Sequence, residues 1–130
     1  MEQFTVKDFT STDLITFTPD MNVISAMNIL INKNISGAPV VDKEGNIIGM
    51  LSEKDCMKTI IYSSYYREMG NLVSDIMSKH VITVDATASI ISIAELFLNS
   101  SFRRFPVLEN GKLIGQVSRR DILRAVLETR

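Results

Sequence analysis

Residues Ala38 to Asp55, APVVDKEGNIIGMLSEKD, return with one residue dropped as Phe105 to Asp121, FPVLENGKLIGQVSRRD. Both stretches hold a Pro-Val-hydrophobic run, a turn, an apolar run broken by one glycine (Gly49, Gly115) and Ser-x-x-Asp. Working outward, the correspondence continues upstream at an offset of 67, pairing Thr16 with Thr83, Ser25 with Ser92 and Asn32 with Asn99. Past the turn the offset is 66, pairing Gly45 with Gly111, Ser52 with Ser118 and Asp55 with Asp121. Apolar positions keep their size, as Val23 with Ile90 and Leu30 with Phe97. One gap inside a loop is what an internal duplication shows.

Each copy reads as strand, helix, strand, strand, helix. Short β-type runs open them, Ile15–Phe17 and Val81–Val84. Helical periodicity follows, with Val23, Ala26, Met27 and Leu30 on one stripe and Ile90, Ile93, Ala94 and Phe97 on its counterpart. The prolines lack an N–H, which predicts a strand start or edge for Ala38–Val41 and Phe105–Leu108. Asn110-Gly111 is a type I′ hairpin signal, and Asp42 to Asn46 is its longer equivalent. In the return strands, Ile47–Leu51 and Leu113–Val117, the glycine admits a close backbone or ligand. Final helices are predicted over Glu53–Tyr62 and Arg119–Glu128, with a helix extension and loop from Tyr62 to Asn71. A unit of roughly 50 residues leaves much of its apolar surface wet. Packing sheet to sheet relieves that, so the expected fold is α+β with pseudo-two-fold symmetry and clefts between the halves. The expected division is 1–70 for the first repeat with its lead-in and connector, and 71–130 for the second.

The chain of 130 residues suits one compact domain or two small lobes sharing a core, and its 45% apolar and 22% charged residues argue against disorder. A net charge of −1 gives no global attraction to nucleic acid or an anionic membrane. The balance is uneven: 7 basic and 10 acidic residues up to Lys79, then 7 and 5 from His80 onward. Cys56 is the single cysteine, so neither an intrachain disulfide nor a Cys/His zinc site is available. There is no apolar run near the roughly 20 residues that span a bilayer and no signal-peptide stretch, so a cytoplasmic location is expected.

Two copies of strand, helix, x-Pro-Val-hydrophobic, hairpin and Gly-x-x-Ser-x-x-Asp resemble a tandem pair of CBS domains, often called a Bateman module. Val6-Lys7-Asp8-Phe9 and Val73-Ser74-Asp75-Ile76-Met77 resemble that family's lead-in segments. The resemblance covers nearly the whole chain and implies a stand-alone pair. It further implies a non-catalytic regulatory or energy-sensing module whose ligand is an adenosine compound: AMP, ADP or ATP foremost, with S-adenosylmethionine, NAD or cyclic di-AMP as further possibilities. A homodimer joined through helices is also implied. By the same resemblance one cleft combines Ser118 and Asp121 with Thr18, Val23, Ile35, Ser36 and Ala38. The other combines Ser52, Lys54 and Asp55 with Thr83, Asp85, Ile90, Phe102, Arg103 and Arg104.

The residue chemistry suits such a ligand. An ionised carboxylate accepts from both ribose hydroxyls, and charge-assisted bonds are roughly twice as strong as neutral ones. Asp55 and Asp121 fall in the first turn of a helix, where negative charge is favoured; Ser52 and Ser118 stand three residues earlier. Ser-x-x-Asp is equally a capping box, and both roles can coexist. Arg103 and Arg104 suit a phosphate, or lie solvated, and Ser36-Gly37 replaces them in the first repeat, so the two clefts should be unequal. Arg119 and Arg120 either add to that field or point outward. His80 reads as a loop residue, Cys56 as a small apolar one, and Met27, Met50, Met57 and Met77 as core or interface. Tyr62, Tyr65 and Tyr66 suggest linker packing or a partner interface rather than nucleic acid. The alternative function is a dimerisation or interaction module with vestigial clefts, its surface formed by Cys56, Ile60, Ile61, Ile122, Ala125 and Val126. A small hydrolase or transferase is the third class, lacking any phosphate loop or nucleophile elbow.

Overall fold

The structure, a computed structural model, describes residues 4–65 and 72–128, with the side chains of 62–65 left out. A 3₁₀ turn at Val6–Phe9 is followed by α1 Val23–Asn32, β1 Gly37–Val41, β2 Ile47–Ser52, α2 Glu53–Tyr65 and α3 Val73–Ile76. Then come β3 Val84–Asp85, α4 Ile90–Leu98, β4 Arg104–Glu109, β5 Lys112–Ser118 and α5 Arg119–Glu128. The helix expected past Tyr62 reaches Tyr65; the rest of the connector, with Tyr66, lies outside the described residues.

The duplication holds element by element. β1 and β2 pair antiparallel, as do β4 and β5, each with a bulge after the Pro-Val pair. Val23, Ala26 and Leu30 of α1 are buried, as are Ile90, Ile93 and Phe97 of α4. The Phe97 ring lies 4.4 Å from that of Phe105 in β4, so helix and strand share one aromatic contact. Asn110 (φ 54°) and Gly111 (φ 79°) form the predicted type I′ hairpin. In the longer turn, Asp42 accepts the N–H groups of Glu44 and Asn46, each at 2.9 Å.

Pro39 sits in β1, an edge strand of a two-stranded sheet as expected, whereas Pro106 corrects the expectation by sitting inside β4, the central strand of three. Pro106 faces Gln116, whose N–H and C=O are both engaged with Ser11 on the opposite side, at 3.1 and 2.9 Å. Pro39 faces Met50, which exchanges two 2.8 Å bonds with Ser78. Each proline therefore occupies a non-hydrogen-bonded position where its missing N–H is not required. On the other side the parallel pairing begins only at Val84↔Val107 and Phe17↔Val40. No proline N–H exists to extend it upstream. The predicted opening strands accordingly shrink to one bridge at Phe17 and the pair Val84–Asp85.

The chain splits into two packing units, Ile15–Val81 and Met1–Leu14 with Ile82–Arg130. In packing, each lead-in thus joins the core of the other repeat. Val6 is fully buried in the second repeat's core with Val84, Ile90 and Phe105. Its N–H donates to Ala88 O at 2.9 Å, and Lys7 pairs with Glu109 at 2.6 Å. Val73 and Ile76 are buried in the first repeat's core with Phe17, Val23 and Leu51, and Val73 N–H donates to Met21 O at 2.8 Å. The physical reason is visible at the return-strand glycines. A Cβ on Gly115 would lie 2.2 Å from Ser11 O, and one on Gly49 would lie 2.6 Å from Met77 Sδ. Bare glycine gives room for the lead-in to cross and cover an otherwise open sheet edge.

Candidate functional site

In both repeats the return strand runs into its helix through Ser-x-x-Asp, and one carboxylate oxygen closes the junction. Asp55 Oδ2 accepts from Ser52 N and Ser52 Oγ, each at 2.9 Å, while Asp55 N–H donates to Ser52 Oγ at 3.1 Å. Asp121 Oδ2 repeats this with Ser118 at 2.8 and 3.0 Å, returned at 3.2 Å. Both aspartates are buried, 8% and 7% exposed, which a carboxylate tolerates only when hydrogen-bonded or paired. The capping role is therefore real at both positions, and it consumes Oδ2 alone.

The second oxygen faces a cation that the sequence reading missed. Lys58 Nζ lies 3.2 Å from Asp55 Oδ1, and Arg124 pairs with Asp121 Oδ1. The available signal was Asp-x-x-Lys repeating as Asp-x-x-Arg at the same offset of 66. Asp121 and Arg124 line a depression of about 320 Å³ together with Glu128 and lead-in residues Asp8 to Ser11.

The strand entering each sheet brings different chemistry to this end. Arg104 stands opposite Ser118, whereas Gly37 stands opposite Ser52. Burial pushes the Arg104 guanidinium below its ordinary value, Arg103 adds to that, and Asp121 opposes it; an arginine stays charged regardless. Ser36 O accepts Glu53 N–H at 2.9 Å, tying the same corner of the first repeat. Within one unit, then, Arg104 neighbours Asp121, while Ser36 and Gly37 neighbour Asp55.

The other candidates divide by exposure. Thr18, Thr83, Asp85, Arg103 and Lys54 are exposed; Ile35, Ser36 and Phe102 are half-buried. Val23, Ala38 and Ile90 point into their own cores, at 1–2% exposure, so their side chains serve packing first. Asp85 closes a turn by accepting from Thr87 N–H at 2.9 Å and from the Thr87 hydroxyl, which together hold its carboxyl below the usual range. Arg119 and Arg120 are exposed at the start of α5. Cys56 is buried, and desolvation with Asp55 and Glu53 pushes its thiol up, away from reactivity. His80 is an exposed loop residue whose N–H donates to Ser78 Oγ at 3.3 Å. Met57 is exposed, whereas Met27, Met50 and Met77 are half-buried. Among the described residues no group of three or more His, Cys, Asp or Glu side chains could hold a metal ion. No helix among them is long and apolar enough to cross a membrane.

Comparison with known proteins gives this geometry its setting. CBSX2 in complex with AMP superposes with a TM-score of 0.85 at 30% identity, covering 97% of this chain and 98% of that one. CBSX2 comes from Arabidopsis thaliana, where its name places it in the chloroplast. The CBS domain pair of MJ0100, in complex with 5′-methylthioadenosine and S-adenosyl-L-methionine, superposes at 0.80 with 25% identity, covering 98% of both chains. Protein MJ1225 of Methanocaldococcus jannaschii is 24% identical over 119 residues; the match covers 92% of this chain but only 41% of that protein. A family model for the CBS domain matches twice, at residues 6–62 and 73–128. With both repeats matched on a duplicated strand–helix–strand–strand–helix frame, the chain belongs to the CBS domain family and carries two such domains in tandem.

Proposed function

We propose that this CBS pair is a non-catalytic regulatory module that binds an adenosine-containing ligand, AMP, ADP or ATP foremost, and signals through its conformation or dimer state. The observation that carries the reading is the twice-built Ser-x-x-Asp junction. Each aspartate is fixed by its cap through Oδ2, so Oδ1, now paired with Lys58 or Arg124, keeps a set position for a ribose diol that competes with that cation. The adenosine ligands of CBSX2 and of the MJ0100 pair support it. The unequal corners, Arg104 beside Ser118 and Gly37 beside Ser52, support two unequal sites, the one that contains Arg103 and Arg104 being the better candidate for a phosphorylated ligand. The clefts shared between repeats, with Thr18, Ile35, Ser36, Thr83, Asp85 and Phe102 near the base, remain part of the proposal, as does a cytoplasmic setting.

A homodimer is the second part. Ile24 and Ile31 of α1 are 60% and 74% exposed, and their repeat equivalents Ile91 and Leu98 are 50% and 86% exposed. Met57 and Ile61 of α2 match Leu123 and Leu127 of α5 in the same way. Cys56, Ile122 and Ala125, expected on that surface, face the core instead. If the sites are vestigial, this apolar surface leaves an interaction module as the alternative.

Thermal unfolding against AMP, ADP, ATP, NAD, S-adenosylmethionine and cyclic di-AMP tests the reading, with Asp55→Ala and Asp121→Ala alongside. A ligand at 100 times its Kd stabilises by about 2.7 kcal/mol. A shift lost in one variant assigns the site; no shift with any compound favours the interaction module.

A further inference from the structure

Lys58 and Arg124 stand three residues after the aspartates, in equivalent places of the two repeats, and each holds its aspartate by Oδ1. Such a pair along a helix face needs no further contact. Lys58 has one: its Nζ also donates to Ile76 O at 3.3 Å, the carbonyl that ends α3. Ile76 belongs to the lead-in that runs on into the other repeat. Its equivalent, Phe9, lines the depression that Arg124 and Asp121 also line. The same three parts, carboxylate, cation and lead-in, therefore come together twice.

The carboxylate has little capacity to spare. Of roughly four lone-pair positions, two on Oδ2 are taken by the serine and one on Oδ1 by the cation. A diol donating both hydroxyls to Oδ1 must displace that cation. We infer that Lys58 and Arg124 are positioning residues that couple the state of Asp55 and Asp121 to the lead-ins, so that an event at the carboxylate is transmitted to residues 72–78 and 8–11. The coupling itself is a property of the ligand-free protein. That a ribose is what triggers it rests on the function proposed above.

The test is amide hydrogen exchange on the intact ligand-free protein, comparing wild type, Lys58→Met, Asp55→Asn and the double variant. Asparagine keeps an acceptor for the Ser52 cap. Each single change should speed exchange at Met77 and Ser78, which donate to Val73 O and Met50 O, by at least about twofold. The double variant should be no faster than the faster single, and Val41, bonded to Phe17 O, should not change. Lys58→Arg should restore the wild-type rates. Effects that multiply in the double variant, or no change in Lys58→Met, overturn the coupling. A second arm adds AMP. Wild type should then change at Ser78, while Lys58→Met binds AMP without that change; an equal change in both overturns the inference. Failure of wild type to bind AMP overturns the ligand assignment, and the ligand-free comparison still decides the coupling.

Discussion

Arg104 stands directly across the β4–β5 ladder from Ser118, the residue that caps α5 through Asp121. The equivalent pair in the first repeat is Gly37 and Ser52. Two copies of one backbone thus present unequal chemistry at the same corner: a guanidinium beside a carboxylate in one, bare backbone in the other. A phosphorylated nucleoside distinguishes such sites, and a neutral nucleoside does not.

Arg104→Gln should therefore weaken AMP by roughly tenfold or more, since a hydrogen bond to a charged group is worth about 1.5–3 kcal/mol. Adenosine should bind the variant as it binds wild type. Titration calorimetry with both compounds checks this. An equal loss for adenosine would mean that Arg104 supports the fold rather than a phosphate.

Gly115→Ala and Gly111→Ala should fail by different mechanisms. At Gly115 the new Cβ meets the Ser11 carbonyl at 2.2 Å and Thr10 Cγ2 at 2.6 Å, so the lead-in must leave the β5 edge. At Gly111 nothing lies within 4 Å, and only the φ of +79° is unfavourable. The expected costs are above about 2 kcal/mol for Gly115→Ala and about 1 kcal/mol for Gly111→Ala. Denaturant unfolding gives the values, and faster exchange of the Ser11 amide should accompany Gly115→Ala alone.

Asp42 and Asp85 make stability fall in acid. The Asn46 backbone N–H holds the Asp42 carboxyl below its ordinary value, and Thr87 does the same for Asp85. A depressed folded pKa gives stability that is present above the unfolded value of about 3.9 and is lost as pH falls through the folded value. The Asp42→Asn, Asp85→Asn double variant should be less stable than wild type at pH 7. It should also lose less on going from pH 5 to pH 2. Parallel acid limbs in urea unfolding would count against this assignment.

Leu123 and Leu127, 66% and 68% exposed on α5, belong to the surface proposed above for a homodimer. Replacing both with aspartate should yield a monomer in sedimentation at micromolar concentration, with the unfolding transition still cooperative. Ala125→Asp, on the opposite face and fully buried, should unfold the protein instead. A monomeric wild type under those conditions would refute the dimer.

The repeat was legible because duplication doubles every weak signal: Asn110-Gly111, the Pro-Val runs and Ser-x-x-Asp each recur at a fixed spacing. The capping role of Asp55 and Asp121 was on view, and the proposed diol acceptor asks for the same residue in the same place. Lys58 and Arg124 were overlooked because a basic residue three places along a helix resembles any solvated charge. The lead-in exchange was hidden for another reason. Which sheet edge Ser11 and Ser78 would cover is a matter of tertiary packing, and Gly49 and Gly115 announce a close approach without naming the visitor. Pro106 misled because an edge is only one way to do without an N–H, and a non-hydrogen-bonded ladder position is the other.

The exchanged lead-ins also bear on how the protein must be made. Ser11 leaves the ribosome well before its partner Gln116, so the segment that covers β5 waits for the intervening chain before it docks. A circular permutant starting at Ile15 and ending at Leu14, with a linker joining the old termini, would make both packing units contiguous. It would remove that wait, and it should refold faster than the natural order if the late docking of the lead-in limits the rate.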